Sequence, residues 1–118
     1  MSTPPFEELS KLDRLVHEPA RLSILTALEA CHATDFTFLQ SLTGLSSGNL
    51  SMHLAKLEQG GLVKIEKAYK GKVPQTYVQL TAEGRAGIQR HWHHLEALRK
   101  AAGKWRKAAP PVTNKSEG

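Results

Sequence analysis

Apolar residues recur along this chain with two different periods, and the change of period separates a helical part from a hairpin. Leu9, Leu12, Leu15 and Val16 recur at helical spacing and stop short of Pro19, which predicts a short amphipathic helix beginning near Phe6. Pro19 suits the first turn of a second helix, whose Leu22, Ile24, Leu25 and Leu28 give a broad apolar face running to about Ala30. The polar run from Cys31 to Asp35 interrupts the pattern. Thr34 or Asp35 can cap a third helix with Phe38, Leu39 and Leu42 on its inner side. Gly44 permits the positive φ of a tight interhelical turn, and Ser46 caps a fourth helix in which Leu50, Leu54 and Leu57 repeat at i, i+4 and i+7 until Gly60 and Gly61 close it.

Beyond Gly61 the period becomes two. Val63 and Ile65 alternate with Lys64 and Glu66, and a second strand follows at Thr76 to Leu80, with Ala68 to Gln75 as a link broken by Gly71 and Pro74. Thr81 caps a last long helix, in which Gly84 and Gly87 weaken the start and Ile88, Trp92, Leu95, Leu98 and Ala102 form an apolar stripe. A stripe that projects beyond so small a domain needs a partner, and the same helix of a second copy is the expected one. The fold class is therefore mainly α with a small β-hairpin, a helix-turn-helix followed by a long C-terminal dimerisation helix. One domain should span residues 6 to 103, flanked by a loose segment 1 to 5 and a basic, unstructured tail 104 to 118.

The helix from Ser46 to Gln59 has a second face. Opposite its leucines, at roughly 100° per residue, stand Gly48, Asn49, Met52, Ala55 and Lys56, with Ser51 at the margin. This face is small, polar and free of carboxylates, which suits entry into a DNA major groove. Ser47, Gly48, Asn49, Ser51 and Met52 are the candidates to read bases. Lys56 and His53 are candidates for phosphates, although His53 sits at the flank and could equally cover the edge of the core. The hairpin tip adds Lys67, Lys70 and Lys72 around Tyr69, placed to lie along a phosphate backbone or reach into a minor groove.

Composition narrows the alternatives. The 118 residues fit one domain, and the formal net charge of +5 is compatible with a nucleic-acid partner. Cys31 is the only cysteine, so a disulfide within the chain and a cysteine-rich zinc site are both excluded, and a reducing cytoplasm is expected. No resolving cysteine accompanies it, so a structural or incidental thiol is the default over a redox sensor. No apolar run of membrane-spanning length occurs, which predicts a soluble protein without a membrane partner. No nucleophile with its base, carboxylate pair or phosphate loop marks an enzyme, and no cofactor is implied.

Taken in order, these pieces resemble the small bacterial and archaeal winged-helix transcription regulators of the ArsR/MarR-like type. The likeness runs from about Leu12 to Leu98. It rests on His17-Glu18-Pro19-Ala20-Arg21-Leu22-Ser23-Ile24-Leu25, on Leu45 through Glu58, on Gly61-Leu62-Val63, and on Tyr77 through Arg85. The resemblance implies a recognition helix at Ser46 to Gln59, a wing at Lys67 to Gln75 and a homodimer joined through its terminal helices. It assigns Leu9, Leu12, Ile88, His91, Trp92, Leu95 and Leu98 to that interface. Two recognition helices one DNA turn apart, roughly 34 Å, would match a palindromic operator in double-stranded DNA, and repression is the commoner outcome in such families. Some metal sensors of this type use a helical histidine pair like His91 and His94, but Val78, Leu80 and Ala82 stand where their further ligands lie, so no metal site is expected. A pocket between the dimer helix and the core could take a small-molecule effector, which no residue identifies. The competing function is a winged-helix protein-interaction module, against which the basic, carboxylate-poor helix face argues.

Overall fold

The computed structural model describes residues 13 to 112. Its elements are α1 (Pro19–Cys31), β1 (Ala33–Asp35), α2 (Phe36–Thr43), α3 (Ser47–Gln59), β2 (Val63–Lys70), β3 (Val73–Leu80) and α4 (Ala82–Ala108). The antiparallel sheet has the order β1-β3-β2. The helix expected from Phe6 lies largely outside the described residues, as do Leu9 and Leu12.

Each helix starts where a side chain can satisfy its first amides. Glu18 caps α1, its carboxylate accepting the Ala20 and Arg21 N–H groups at 3.1 and 3.0 Å, with Pro19 in the first turn. Asp35 rather than Thr34 caps α2, accepting from the Phe38 amide at 2.8 Å. Gly44 closes α2 with a φ of 71°, in the left-handed region expected of it. The Ser46 hydroxyl accepts from the Asn49 amide at 3.1 Å and so starts α3.

One core joins these elements. Leu50, Leu54 and Leu57 of α3 meet Ile24, Leu25 and Leu28 of α1, and Val78 closes the layer from the sheet. Truncating one such leucine to alanine removes about 2–5 kcal/mol. Two expectations about burial need correction. In α2 only Leu39 is buried, while Phe38 and Leu42, expected on the inner side, are 47% and 55% exposed. At about 100° per residue Leu42 and Phe38 fall to the same flank of Leu39, roughly 60° and 100° from it, so this short helix buries Leu39 and leaves that flank uncovered.

The polar run after α1 holds a strand that alternation did not reveal. Ala33, Thr34 and Asp35 pair with Gln79, Val78 and Tyr77. His32 turns the chain into it at a φ of 66°, its carbonyl accepting the Leu80 N–H at 3.0 Å and its ring 2.6 Å from Arg85 Nη2. The hairpin is also longer than expected. Its strands pair down to Lys70 and Val73, so the link shrinks to Gly71 and Lys72, with Gly71 alone at positive φ (66°). Glycine at the first of two turn residues is the type II′ preference.

Thr81 joins the end of the sheet to α4. Its hydroxyl donates to the Gly61 carbonyl at 2.6 Å and accepts the Gly84 N–H at 2.9 Å, while its own N–H donates to the Leu62 carbonyl at 3.0 Å. A Cβ at Gly84 would fall on that Leu62 carbonyl oxygen, so the glycine expected to weaken the helix is what lets it approach. From there α4 runs for 27 residues, about 40 Å, and continues past residue 103 to Ala108. Only its first turns are buried, at Gly84, Gly87, Ile88 and His91.

His91 is 2% exposed, and neither of its ring nitrogens has a hydrogen-bond partner. The His17 and Trp92 rings flank it, both with centroids 5.1 Å away. Burial pushes its pKa below the ordinary histidine value of 6.5, and His17 and His94 add to the shift. The unfolded chain therefore takes up this proton before the folded one does, so stability is lost as pH falls below about 6.5. Thermal unfolding of the full chain is expected to show a lower midpoint at pH 5.5 than at pH 8. His91→Leu should lessen that acid loss and raise stability at pH 8 by about 1 kcal/mol, because the unsatisfied polar ring is gone. An identical acid loss in both chains would show that His91 does not carry it.

Candidate nucleic-acid interface

The leucine stripe turns the other side of α3 outward. Ser47, Gly48, Asn49, Ser51, Met52 and Lys56 are all exposed, Met52 at 45%. No acidic residue lies in the first turn of α3, so its amides and helix dipole present positive potential beside Gly48 and Asn49. Gly48 is not required by the chain's own packing. It has no positive φ, and a Cβ there would meet nothing within 4 Å. Its smallness leaves room for something outside the chain.

The hairpin stands beside this helix. Strand alternation puts Lys67 and Tyr69 on the α3 side with Val63 and Ile65, and Lys64, Glu66 and Lys70 on the other. Between α3 and the hairpin lies an open cavity of about 530 Å³, bordered by Ser47, Ser51, Ala55, Glu58, Lys67 and Thr76. Lys70, Lys72 and Tyr69 are exposed at the far end, Tyr69 at 75%.

The carboxylates near this surface are engaged. Glu58 accepts the Ile65 N–H at 3.0 Å, which ties the end of α3 to the first residues of the hairpin. Glu66 pairs with Lys64 at 3.0 Å on the outer sheet face. On the α3 side of the hairpin Lys67 is thus the cation at the cavity, facing a Glu58 whose carboxylate is held by the Ile65 amide.

His53 stands apart from the other candidates. It lies on the flank of α3 away from the hairpin, with its side chain only 12% exposed. Its Nδ1 is 3.5 Å from Glu18 Oε2 and 3.5 Å from Arg21 Nη1. Of its two expected environments, this is the one at the edge of the core. Glu18 and Arg21 were visible in the sequence only as part of the motif at the start of α1, and nothing in their spacing pointed to α3.

The expected dimer residues divide into two groups. Ile88 and His91, at 0% and 2% exposure, are buried in the chain's own core and cannot offer side chains to a partner. The same stripe meets α1 and Val16 in its first turns and leaves the domain afterwards, so Trp92 is 41% exposed and Leu95 and Leu98 are half-buried. Cys31 is exposed and reduced, its thiol donating to the Ala27 carbonyl at 3.0 Å. Among the described residues no cluster of three His, Cys, Asp or Glu side chains is arranged to hold a metal ion, and no helix is long and apolar enough to cross a membrane.

A helix-turn-helix with an exposed polar helix, a basic hairpin beside it and a third strand behind define a winged helix. Residues 20–99 match the family model described as a winged helix DNA-binding domain, and the chain belongs to that family. It is a winged-helix, DNA-binding transcriptional regulator. It is 31% identical over 88 residues to an uncharacterized protein of Methanocaldococcus jannaschii, a match covering 74% of this chain and 95% of that one. The structure of a transcriptional regulator homologue from Pyrococcus horikoshii OT3 superposes with a TM-score of 0.77 at 31% identity, covering 81% of this chain and 97% of the other. A MarR-family transcriptional regulator from Silicibacter pomeroyi gives a TM-score of 0.60 at 26% identity, with 83% and 63% covered.

The open space at Gly48 yields a separable expectation. Gly48→Ala should leave the fold intact and raise its stability by about 0.5 kcal/mol through helix propensity. The same change should weaken DNA binding, measured by fluorescence anisotropy, because a methyl group stands where close approach is needed. Unchanged DNA affinity in a correctly folded variant would remove Gly48 from the contact surface.

Proposed function

We propose that the protein is a sequence-specific regulator that binds double-stranded DNA as a homodimer and represses transcription by occupying a palindromic operator. The observation that carries this proposal is the arrangement of α3 beside the hairpin. An exposed helix face with no unengaged carboxylate lies next to a cavity bordered by Lys67, and both are held by one dry core. In this proposal residues 46 to 59 enter the major groove, and the wing, residues 67 to 75, follows the backbone into the neighbouring minor groove. Ser47, Gly48, Asn49, Ser51 and Met52 meet base edges, while Lys56, Lys67, Lys70 and Lys72 neutralise phosphates. His53 acts on the core side of α3 rather than on a phosphate. The protein works by binding and not by catalysis, in the cytoplasm where its DNA lies.

Dimerisation is supported by what α4 leaves bare. Trp92, Leu95 and Leu98 follow one another at spacing three along a helix that has already left the core. Two such helices packed together would remove these side chains from water and hold two copies of α3 at a fixed separation.

Anisotropy titration against a duplex from the gene's own promoter region, at two salt concentrations, tests the proposal. Asn49→Ala should reduce the preference for the operator over unrelated DNA by about tenfold or more, the worth of one bidentate base contact. Lys70→Ala with Lys72→Ala should weaken both duplexes alike and reduce the salt slope by about 2. Absence of binding at low salt would overturn the proposal. For the dimer, sedimentation of Trp92→Glu with Leu95→Glu should yield a folded monomer. A dimer that survived this pair of changes would place the interface elsewhere.

A further inference from the structure

The leucine stripe fixes how deeply α3 lies in the core. Its rotation about its own axis, on which the aim of Asn49 and Met52 depends, is also gripped from both flanks by directional polar contacts. On the wing flank the grip is Glu58 to the Ile65 N–H at 3.0 Å. Five residues earlier, on the flank away from the wing, it is His53 against Glu18 and Arg21.

The second grip is anchored firmly. Both oxygens of Glu18 accept backbone N–H groups at the start of α1, and Arg21 Nε donates to the Leu15 carbonyl at 2.7 Å. The side chains of His53 and Arg21 are each 12% exposed and that of Glu18 is 30% exposed. Partial burial pushes the Glu18 carboxyl up, but the Ala20 and Arg21 amides, His53 and the Arg21 guanidinium outweigh it, so the group stays charged below the usual carboxylate range. A single nitrogen, His53 Nδ1, is thus equidistant from a donor and an acceptor. With its lone pair free it can accept from Arg21, and when protonated it donates to Glu18. Glu18 and Arg21 face it from α1, Lys56 follows on its own helix, and Lys67 of β2 borders the opposite flank.

We infer that Glu18 is a positioning residue for base reading, acting through His53, and that with Glu58 on the other flank it sets the roll of the recognition helix on DNA. This inference rests on α3 being the helix that enters the major groove. It runs against the simplest electrostatic expectation, in which neutralising a carboxylate near DNA raises affinity for every sequence alike. A positioning role instead confines the loss to the operator, because only base contacts depend on aim.

The test uses the full chain with Glu18→Gln, which keeps a carbonyl oxygen for the α1 cap, and with His53→Gln. Operator and scrambled duplexes, the operator chosen by the wild-type chain from a random library, are titrated at pH 8. Amide chemical shifts of residues 47 to 59 are compared without DNA at the same pH. Both variants should lower the operator-to-scrambled affinity ratio about tenfold at pH 8, comparable to one mismatched base pair, while scrambled DNA changes less than about twofold. In both variants the DNA-free α3 shifts should depart from those of the wild-type chain. The inference is overturned if Glu18→Gln leaves the ratio and the α3 shifts unchanged, or if affinity moves equally for both duplexes. A wild-type chain that bound no duplex would overturn the DNA role, and the DNA-free shifts would still decide whether Glu18 sets the helix.

Discussion

The dry contact between α3 and the core is the condition for everything the outer surface does. Leu50 and Leu57 are fully buried and Leu54 is 2% exposed, so this stripe supplies the apolar hold of the helix on the domain. The opposite face is released from folding duties and can carry a glycine, an asparagine, serines and a half-exposed methionine at little cost to stability. Such residues would be poor choices for a helix that had to hold itself in place, since glycine and asparagine both disfavour helix. Here the leucines offset that weakness.

A second constraint is local and joins three elements at one point. The end of α3, the base of the wing and the start of α4 meet at Gly61, Leu62, Thr81 and Gly84. The Leu62 carbonyl is both an acceptor for Thr81 and the surface against which Gly84 rests. The start of α4 is therefore tied directly to the segment that follows the last turn of α3.

The elements with the longest periodic patterns were legible from sequence alone. The leucines of α3, the alternation through Val63 and Ile65, and the caps at Ser46 and Thr81 all stand where their chemistry places them. What was not legible depended on neighbours. β1 is three residues long and exists because β3 offers an edge to Thr34 and its flanks. The wing could extend through Pro74 because β1 pairs only with Tyr77 to Gln79, leaving Pro74 a neighbour on one side alone. Periodicity gives the direction of a face but not what covers it, hence the exposure of Phe38 and Leu42 and the burial of Ile88 and His91 inside a single chain. His53 shows the same limit at the site itself. Its place on the helix was readable, but its partners come from a segment more than thirty residues away.

The two-residue turn at Gly71 and Lys72 ties how far the wing reaches to which way its side chains point. Successive strand residues face opposite sides and advance about 3.3 Å each. A hairpin lengthened by one residue in each arm would move its tip by that distance and turn its terminal side chains from one sheet face to the other. Lengthened by two in each arm, it would advance about 6.6 Å with the original facing restored. Wing length is thus not a free dial: one step changes both how far the tip projects from the domain and which sheet face its lysines take.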